Sequence, residues 1–348
     1  MTKDDILVEV RDLKVIFPME EGTVRAVESV DLTVRKSKIL GVVGESGCGK
    51  TVTAQTILRI IPDPGEIANG QILLHQAAPD GSGTNVVDIA QLSNRSREIR
   101  MIRGKEVAMI FQEPMSSFSP LHTVGNQIIE AVLLHQDVDK VQAREIAIDM
   151  LKRVGIPNPG RRIDQYPHEF SGGMRQRAMI AMALTCEPSL LIADEPTTSL
   201  DVTIQAQILD LIMELQEEFG MAVMFITHNL GVIAQIADDV AIMYLGKVVE
   251  VGPAREIFHN PKHPYTLNLL KAIPRIGKTS GQRLVAIEGA VPSPFDRPRG
   301  CSFHPRCNEM IPGVCDVIDP ENTQVGEEHH VRCVLYTPEL VEATRSGA

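Results

Sequence analysis

One run of eight residues constrains this chain more than any other: Gly44-Glu45-Ser46-Gly47-Cys48-Gly49-Lys50-Thr51. It fits G-x-x-x-x-G-K-[ST] at every specified position, and its flanks are those such a loop requires. Ile39 to Val43 is apolar throughout and predicts a buried strand, while Thr51 to Ile61 predicts a helix, with Val52 at its start also a nucleotide-binding candidate. The glycines at 44, 47 and 49 let the backbone curl into a nest of N–H donors at the positive end of that helix, a setting suited to phosphate. Lys50 is then placed to reach the β and γ phosphates of a nucleoside triphosphate. The Thr51 hydroxyl is placed to hold Mg²⁺, which takes hard oxygen ligands. Cys48 fills an unspecified position and is most simply a small filler.

Strands and helices alternate through the middle of the chain, which points to a layered α/β domain with a mainly parallel sheet. Val107 to Phe111, Leu190 to Ala193 and Ala222 to Ile226 predict buried strands. Asp139 and Gln142 have the spacing of a capping box for a helix whose apolar stripe is Ala143, Ile146, Ala147, Met150, Leu151 and Val154, with Gly155 as its stop. Ile204, Ile208, Leu211, Leu215 and Phe219 form a second stripe, closed by Gly220. Near the amino end, Leu7 to Val10, Leu13 to Phe17 and Val30 to Val34 predict short strands of an antiparallel edge sheet.

At 348 residues the chain exceeds one typical domain, and 43% hydrophobic residues allow a sizeable core. The net charge of -11 argues against a nucleic-acid groove, which needs clustered Lys and Arg, so no nucleic-acid partner is expected. Met1 to Glu9 lacks the basic start and cleavage site of a signal peptide, which places the chain in the cytosol. No run of about 18 apolar residues occurs. The composition shifts to Gly, Ser and Pro between Arg275 and Gly300, and a domain boundary is expected near Asn260 to Arg275.

Further motifs follow in a fixed order. Leu190 to Ala193 runs into Asp194 and Glu195, two adjacent carboxylates at a strand end: the first suits Mg²⁺, the second can take a proton from attacking water. Phe170-Ser171-Gly172-Gly173-Met174-Arg175-Gln176-Arg177 lies about twenty residues upstream. Gln112 follows the strand ending at Phe111, His228 follows the strand at Ala222, and Ser199-Leu200-Asp201 follows Glu195. On these signals the chain resembles the ATP-binding cassette (ABC) family over about residues 5 to 258. The resemblance implies a P-loop ATPase fold of ABC type, with a RecA-like core, an antiparallel β subdomain and a helical subdomain at about 113–185.

The resemblance also implies roles. Ser171, Gly172 and Gly173 correspond to the family signature, usually L-S-G-G-Q, which meets the γ-phosphate of an ATP held by the other subunit. Phe170 and Met174 depart from that pattern but match the peptide-importer form. Gln112 corresponds to the glutamine that contacts Mg²⁺ and relays the nucleotide state to the membrane partner. His228 corresponds to the histidine that contacts the γ-phosphate and orients the base. Asp201 corresponds to a loop crossing the dimer interface, although it also suits a helix N-cap. Phe17 stands where the family stacks an aromatic ring on adenine, with a buried core phenylalanine as the alternative. The resemblance thus implies Mg-dependent ATP hydrolysis with Glu195 as the base and Lys50, Gln112 and His228 as its catalytic companions.

Beyond Ile257, His263-Pro264-Tyr265-Thr266 and four cysteines resemble the carboxyl-terminal extension of oligopeptide and dipeptide importer ATPases. The domain division that follows is 1–260 for the nucleotide-binding domain and 261–348 for the extension. Cys301, Cys307, Cys315 and Cys333 are separated by five, seven and seventeen residues, which fits neither a zinc knuckle nor a ferredoxin run. A reducing cytosol disfavours disulfides, so a soft-metal site is expected. The resembling branch favours a [4Fe-4S] cluster over zinc, with unliganded thiols as the bland alternative. The resemblance further implies a second ABC ATPase subunit as a homo- or heterodimer partner, two transmembrane permease subunits, and an extracytoplasmic substrate-binding protein reached indirectly, all at the cytoplasmic face of the cell membrane. Oligosaccharide, opine or nickel cargo is the alternative to peptide, and a non-transport ABC ATPase is a more distant one.

Overall fold

A computed structural model describes residues 5–77, 83–113, 117–198, 201–272 and 287–337. The chain opens with Ile6–Met19 (β1) and Gly22–Arg35 (β2), paired antiparallel. The two strands expected at Leu7 and Leu13 are one long strand with an irregularity at Asp12, where φ is 42° and the register shifts. The Asp12 amide, lost from the ladder, donates to the Asp31 carboxylate at 2.9 Å. The residue that looks like a break in the sequence is therefore a bulge with its donor satisfied.

Ile39–Val43 (β3) leads through the glycine loop into Lys50–Ile57 (α1). This helix stops earlier than the expected Ile61, because Arg59 turns to φ 55° and Arg103 takes the carbonyls of Leu58 at 2.8 Å and Arg59 at 2.7 Å. Glu66–Ala77 (β4) and Thr84–Asp88 (β5) complete a four-stranded antiparallel sheet of order β2-β1-β4-β5. Arg97–Lys105 (α2) then returns the chain to the main sheet at Val107–Ile110 (β6).

Residues 124–184 are helical: Val124–His135 (α3), Lys140–Arg153 (α4), the single turn Pro159–Arg162 (α5) and Gly172–Leu184 (α6). The Asp139 side chain accepts from the amides of Val141 and Gln142, and Gln142 reaches back to the Asp139 amide at 3.0 Å, so the expected capping box is formed. Gly155, at φ 78°, ends the segment as expected. Gly125 has Ile163 laid over it: a Cβ there would come within 2.2 Å of Ile163 Cγ1.

Leu190–Asp194 (β7), Val202–Phe219 (α7), Ala222–Thr227 (β8), Leu230–Ile236 (α8) and Asp239–Tyr244 (β9) follow. Strands β9-β3-β8-β7-β6 lie side by side and run parallel. Alternation along them divides the interior. Leu40, Val42, Met224 and Ile226 face the core shared with the four-stranded sheet and α1, while Val43, Ala193, Val223 and Phe225 face the core shared with the helices. The polar ends of these strands therefore emerge together at one edge.

Lys247–Pro253 (β10), Ala254–His259 (α9) and Pro264–Lys271 (α10) carry the chain past residue 260. Thr323–Gly326 (β11) and His329–Val331 (β12) then extend the main sheet: Glu250 pairs with Val331 and Val251 with His330, giving the order β11-β12-β10-β9-β3-β8-β7-β6. Glu250 is buried and accepts from His329 Nε2 at 2.8 Å and from the amides of Lys262 at 2.6 Å and His263 at 3.0 Å. The carboxyl-terminal segment shares a sheet with the rest of the chain. The expected boundary and Gly/Ser/Pro stretch fall partly on residues 273–286, outside those described.

Candidate active site

The loop from Gly44 to Thr51 takes a shape that only its glycines permit. At Gly44 a Cβ would lie 2.2 Å from the Met243 carbonyl oxygen; at Gly49, where φ is 101°, it would lie 2.4 Å from the Ala26 oxygen. Lys50 is buried, and its ammonium donates to the carbonyls of Gly44 at 2.8 Å and Glu45 at 3.1 Å. Cys48 is buried behind the loop with its thiol pushed up by burial, as a filler would be. Val52, one turn into α1, packs partly buried on the second core.

Parallel strand order brings the remaining polar residues to the same edge. Asp194, the last residue of β7, is buried, and burial raises its carboxyl above the usual range although the Thr51 hydroxyl donates to it at 3.2 Å. Glu195 follows at φ 45°, a left-handed conformation for a non-glycine residue, with its amide on the Ile226 carbonyl at 2.9 Å. That turn aims its carboxylate at three neighbours: Gln112 Nε2 at 3.3 Å, His228 Nδ1 at 3.3 Å and the Thr198 hydroxyl at 2.9 Å. Residues separated by as many as 83 positions in the chain thus meet on one carboxylate. Thr198 was not singled out from the sequence; its only signal is its place three residues after Glu195.

Other candidate residues stand apart from this cluster. The Ser171 hydroxyl accepts from the Met174 amide at 3.3 Å and caps α6, leaving Gly172 open and Gly173 against Ile204. Asp201 caps α7 by accepting from Thr203 and Ile204 amides at 3.1 and 3.0 Å, the N-cap foreseen in the sequence. Its companions Ser199 and Leu200, like Pro114 after Gln112 and Glu113, lie outside the described residues. Phe17 is half-buried, and its ring carbons come within 2.6 and 2.8 Å of where a Gly65 Cβ would be. It packs partly buried against the core that the four-stranded sheet shares with α1.

The four carboxyl-terminal cysteines are free thiols in one neighbourhood. Cys301 N–H donates to the Cys315 carbonyl at 2.8 Å, and the Ile311 amide donates to Cys315 Sγ at 3.3 Å. Burial pushes Cys301 up to about 11 and Cys333 up to about 12, and the charges of the other thiols add to it. Among the described residues, however, no three or more His, Cys, Asp or Glu side chains are arranged to hold a metal ion. The thiols at 301, 307, 315 and 333 are near one another, but the arrangement supports neither the expected [4Fe-4S] cluster nor its zinc alternative. No helix among the described residues is long and apolar enough to cross a membrane.

Comparison with known proteins agrees with this geometry. The profile described as "ABC transporter" matches residues 27–198, and that described as "Oligopeptide/dipeptide transporter, C-terminal region" matches residues 249–315. The chain is 46% identical to the dipeptide transport ATP-binding protein DppD of Bacillus subtilis, over 98% of each chain. It is 47% identical to DppD of Escherichia coli, over 86% of this chain and 88% of that protein. The oligopeptide transport ATP-binding protein OppD of Bacillus subtilis is 43% identical, over 96% and 90%. Among solved structures, the dimeric bacterial ABC transporter cassette MJ0796 superposes with a TM-score of 0.61 at 23% identity, covering 72% of this chain and 99% of that one, which establishes the fold.

Proposed function

The chain belongs to the ABC transporter family, in its oligopeptide and dipeptide branch, and from that premise we propose that it is the ATP-hydrolysing subunit of a peptide importer. The observation that carries the chemistry is the convergence of Gln112, Thr198 and His228 on Glu195, beside a P-loop lysine and a buried Thr51–Asp194 pair. Backbone amides of the loop and Lys50 bind the β and γ phosphates; Thr51, Asp194 and Gln112 would hold Mg²⁺, which supplies charge neutralisation on the phosphoryl group. Glu195 takes the proton from the attacking water. His228 orients that carboxylate through Nδ1 and offers its other ring nitrogen toward the γ-phosphate.

In this reading a second ATPase subunit completes the nucleotide site. Ser171, Gly172 and Gly173, at an open helix start, are suited to close over an ATP held by a partner ATPase, and Asp201 to lie at that interface. MJ0796, solved as a dimer, is a precedent within the fold. An apolar groove lined by Leu58, Phe111, Met179 and Met182 adjoins Gln112 at the end of β6, and fits a permease segment reporting on the nucleotide site. We place the protein at the cytoplasmic membrane face, under two permease subunits, with the substrate-binding protein acting through them. Residues 1–260 form the nucleotide-binding unit and 261–348 the extension in this reading.

An iron–sulfur cluster at Cys301, Cys307, Cys315 and Cys333 rests in this reading on the shared neighbourhood of the four free thiols alone. Anaerobic purification tests this: brown absorbance with bound iron supports the cluster, and a colourless, iron-free protein removes it. The importer role is tested by affinity purification from membranes. Recovery with two permease chains supports it, and recovery with nucleic acid alone overturns it.

A further inference from the structure

Glu45 occupies an unspecified position of the P-loop motif, yet all of its polar groups are engaged. Its carboxylate is gripped by Arg306, with NH1 at 2.7 Å and NH2 at 3.1 Å from the two oxygens. Its amide donates to the Tyr265 hydroxyl at 3.0 Å. Its carbonyl accepts from Lys50 Nζ at 3.1 Å and from the Cys48 amide at 3.3 Å. Both outside partners belong to the carboxyl-terminal segment. Arg306 is buried, anchored by Nε on the Glu288 carbonyl at 3.2 Å and lying over the Tyr244 ring at 5.9 Å. Tyr265 is fully buried among Tyr244 and Phe303, with ring centroids 4.8 and 5.3 Å away.

We propose that Arg306 and Tyr265 are positioning residues of the nucleotide site, holding the Glu45 peptide so that nucleotide affinity depends on the carboxyl-terminal segment. The geometry gives the reason. Lys50 must leave the Gly44 and Glu45 carbonyls to reach a phosphate, and inside the loop Glu45 then keeps only the 3.3 Å bond from the Cys48 amide. A planar guanidinium fork fixes the carboxylate in two directions, and the tyrosine hydroxyl fixes the amide, so the peptide keeps its orientation when the lysine moves. A buried ion pair is weak evidence for stability, so its use here lies in geometry.

This inference rests on the nucleotide-site reading, and the test separates the two. Binding of MgATP to the full chain is measured by titration calorimetry, alongside steady-state hydrolysis, for Arg306→Ala, Arg306→Lys, Tyr265→Phe, Glu45→Ala, the Arg306→Ala/Glu45→Ala double variant and Lys50→Ala. The expected result is a roughly tenfold weaker Kd for Arg306→Ala, with KM raised more than kcat is lowered. Arg306→Lys should recover part of the loss, and the double variant should lose no more than either single one. Tyr265→Phe removes one oxygen from a packed ring and decides the question if Arg306→Ala does not fold. Wild-type affinity in Tyr265→Phe and in folded Arg306→Ala, or strictly additive losses in the double variant, with Lys50→Ala still defective, overturns the clamp and leaves the nucleotide site standing. Wild-type affinity in Lys50→Ala overturns the site itself.

Discussion

The Thr51 hydroxyl donates to Asp194 Oδ1 at 3.2 Å, joining the first residue after the P-loop lysine to the end of a strand 143 residues later. Two oxygens suited to a hard divalent cation therefore share one bond. Burial raises the Asp194 carboxyl, so its proton competes with the cation and the Mg²⁺ concentration needed for half activity should rise as pH falls. Asp194→Asn should lower Mg-dependent ATPase activity by roughly 10–100-fold. Activity titrated against Mg²⁺ at several pH values checks this.

Glu195→Gln keeps the shape and one hydrogen-bonding oxygen but cannot accept a proton. MgATP binding should be retained while turnover falls by about 10²–10⁴-fold. Binding by calorimetry and phosphate release by a coupled assay measure the two separately, and normal turnover in this variant would remove Glu195 from the role of base.

His263 is fully buried, and burial holds its imidazole down at about 4 despite the nearby Glu250 charge. The unfolded chain binds a proton near pH 6.5 that the folded chain refuses until about pH 4. Stability is thus full above about 6.5 and is lost as pH falls through that window, by up to about 3 kcal/mol. Burial pushes Glu250 up, but hydrogen bonds from His329 and the amides of His263 and Lys262 outweigh it and lower it overall, so its share is also lost on acidification. Thermal melts should show a steeper fall in Tm from pH 7.5 to 5 in the wild type than in His263→Asn, which retains an acceptor for the Tyr265 amide.

Gly47 and Gly49 both have positive φ, but they differ in surroundings. A Cβ at Gly47 meets nothing within 4 Å, whereas one at Gly49 meets the Ala26 oxygen at 2.4 Å. Gly47→Ala should cost about 1 kcal/mol from backbone conformation alone. Gly49→Ala should cost about 2–4 kcal/mol, since strain and overlap add. Denaturant unfolding of the nucleotide-free proteins gives the comparison directly.

The site was legible where local pattern and topology coincide. Gly44 to Thr51, Asp194, Glu195 and His228 each follow an apolar run, and parallel pairing carries such ends to one edge. Contacts between distant segments left no local trace. Arg306 meets Glu45 across 261 positions, and β12 joins β10 across about 80, with nothing in either segment naming its partner. Strands β4 and β5 escaped because Asn69, Gly70 and Asn85 interrupt their alternation. The cysteine spacing matched no known ligand pattern, and among the described residues no metal-holding arrangement accompanies it.

In the function proposed for this chain, ATP hydrolysis at Glu195 drives peptide entry. Uptake of a radiolabelled dipeptide by cells lacking this chain, complemented with the wild type or with Glu195→Gln at matched expression, tests it most directly. Uptake lost on deletion, restored by the wild type and not by Glu195→Gln is the predicted result. Uptake indifferent to the deletion, or restored equally by Glu195→Gln, would contradict the account.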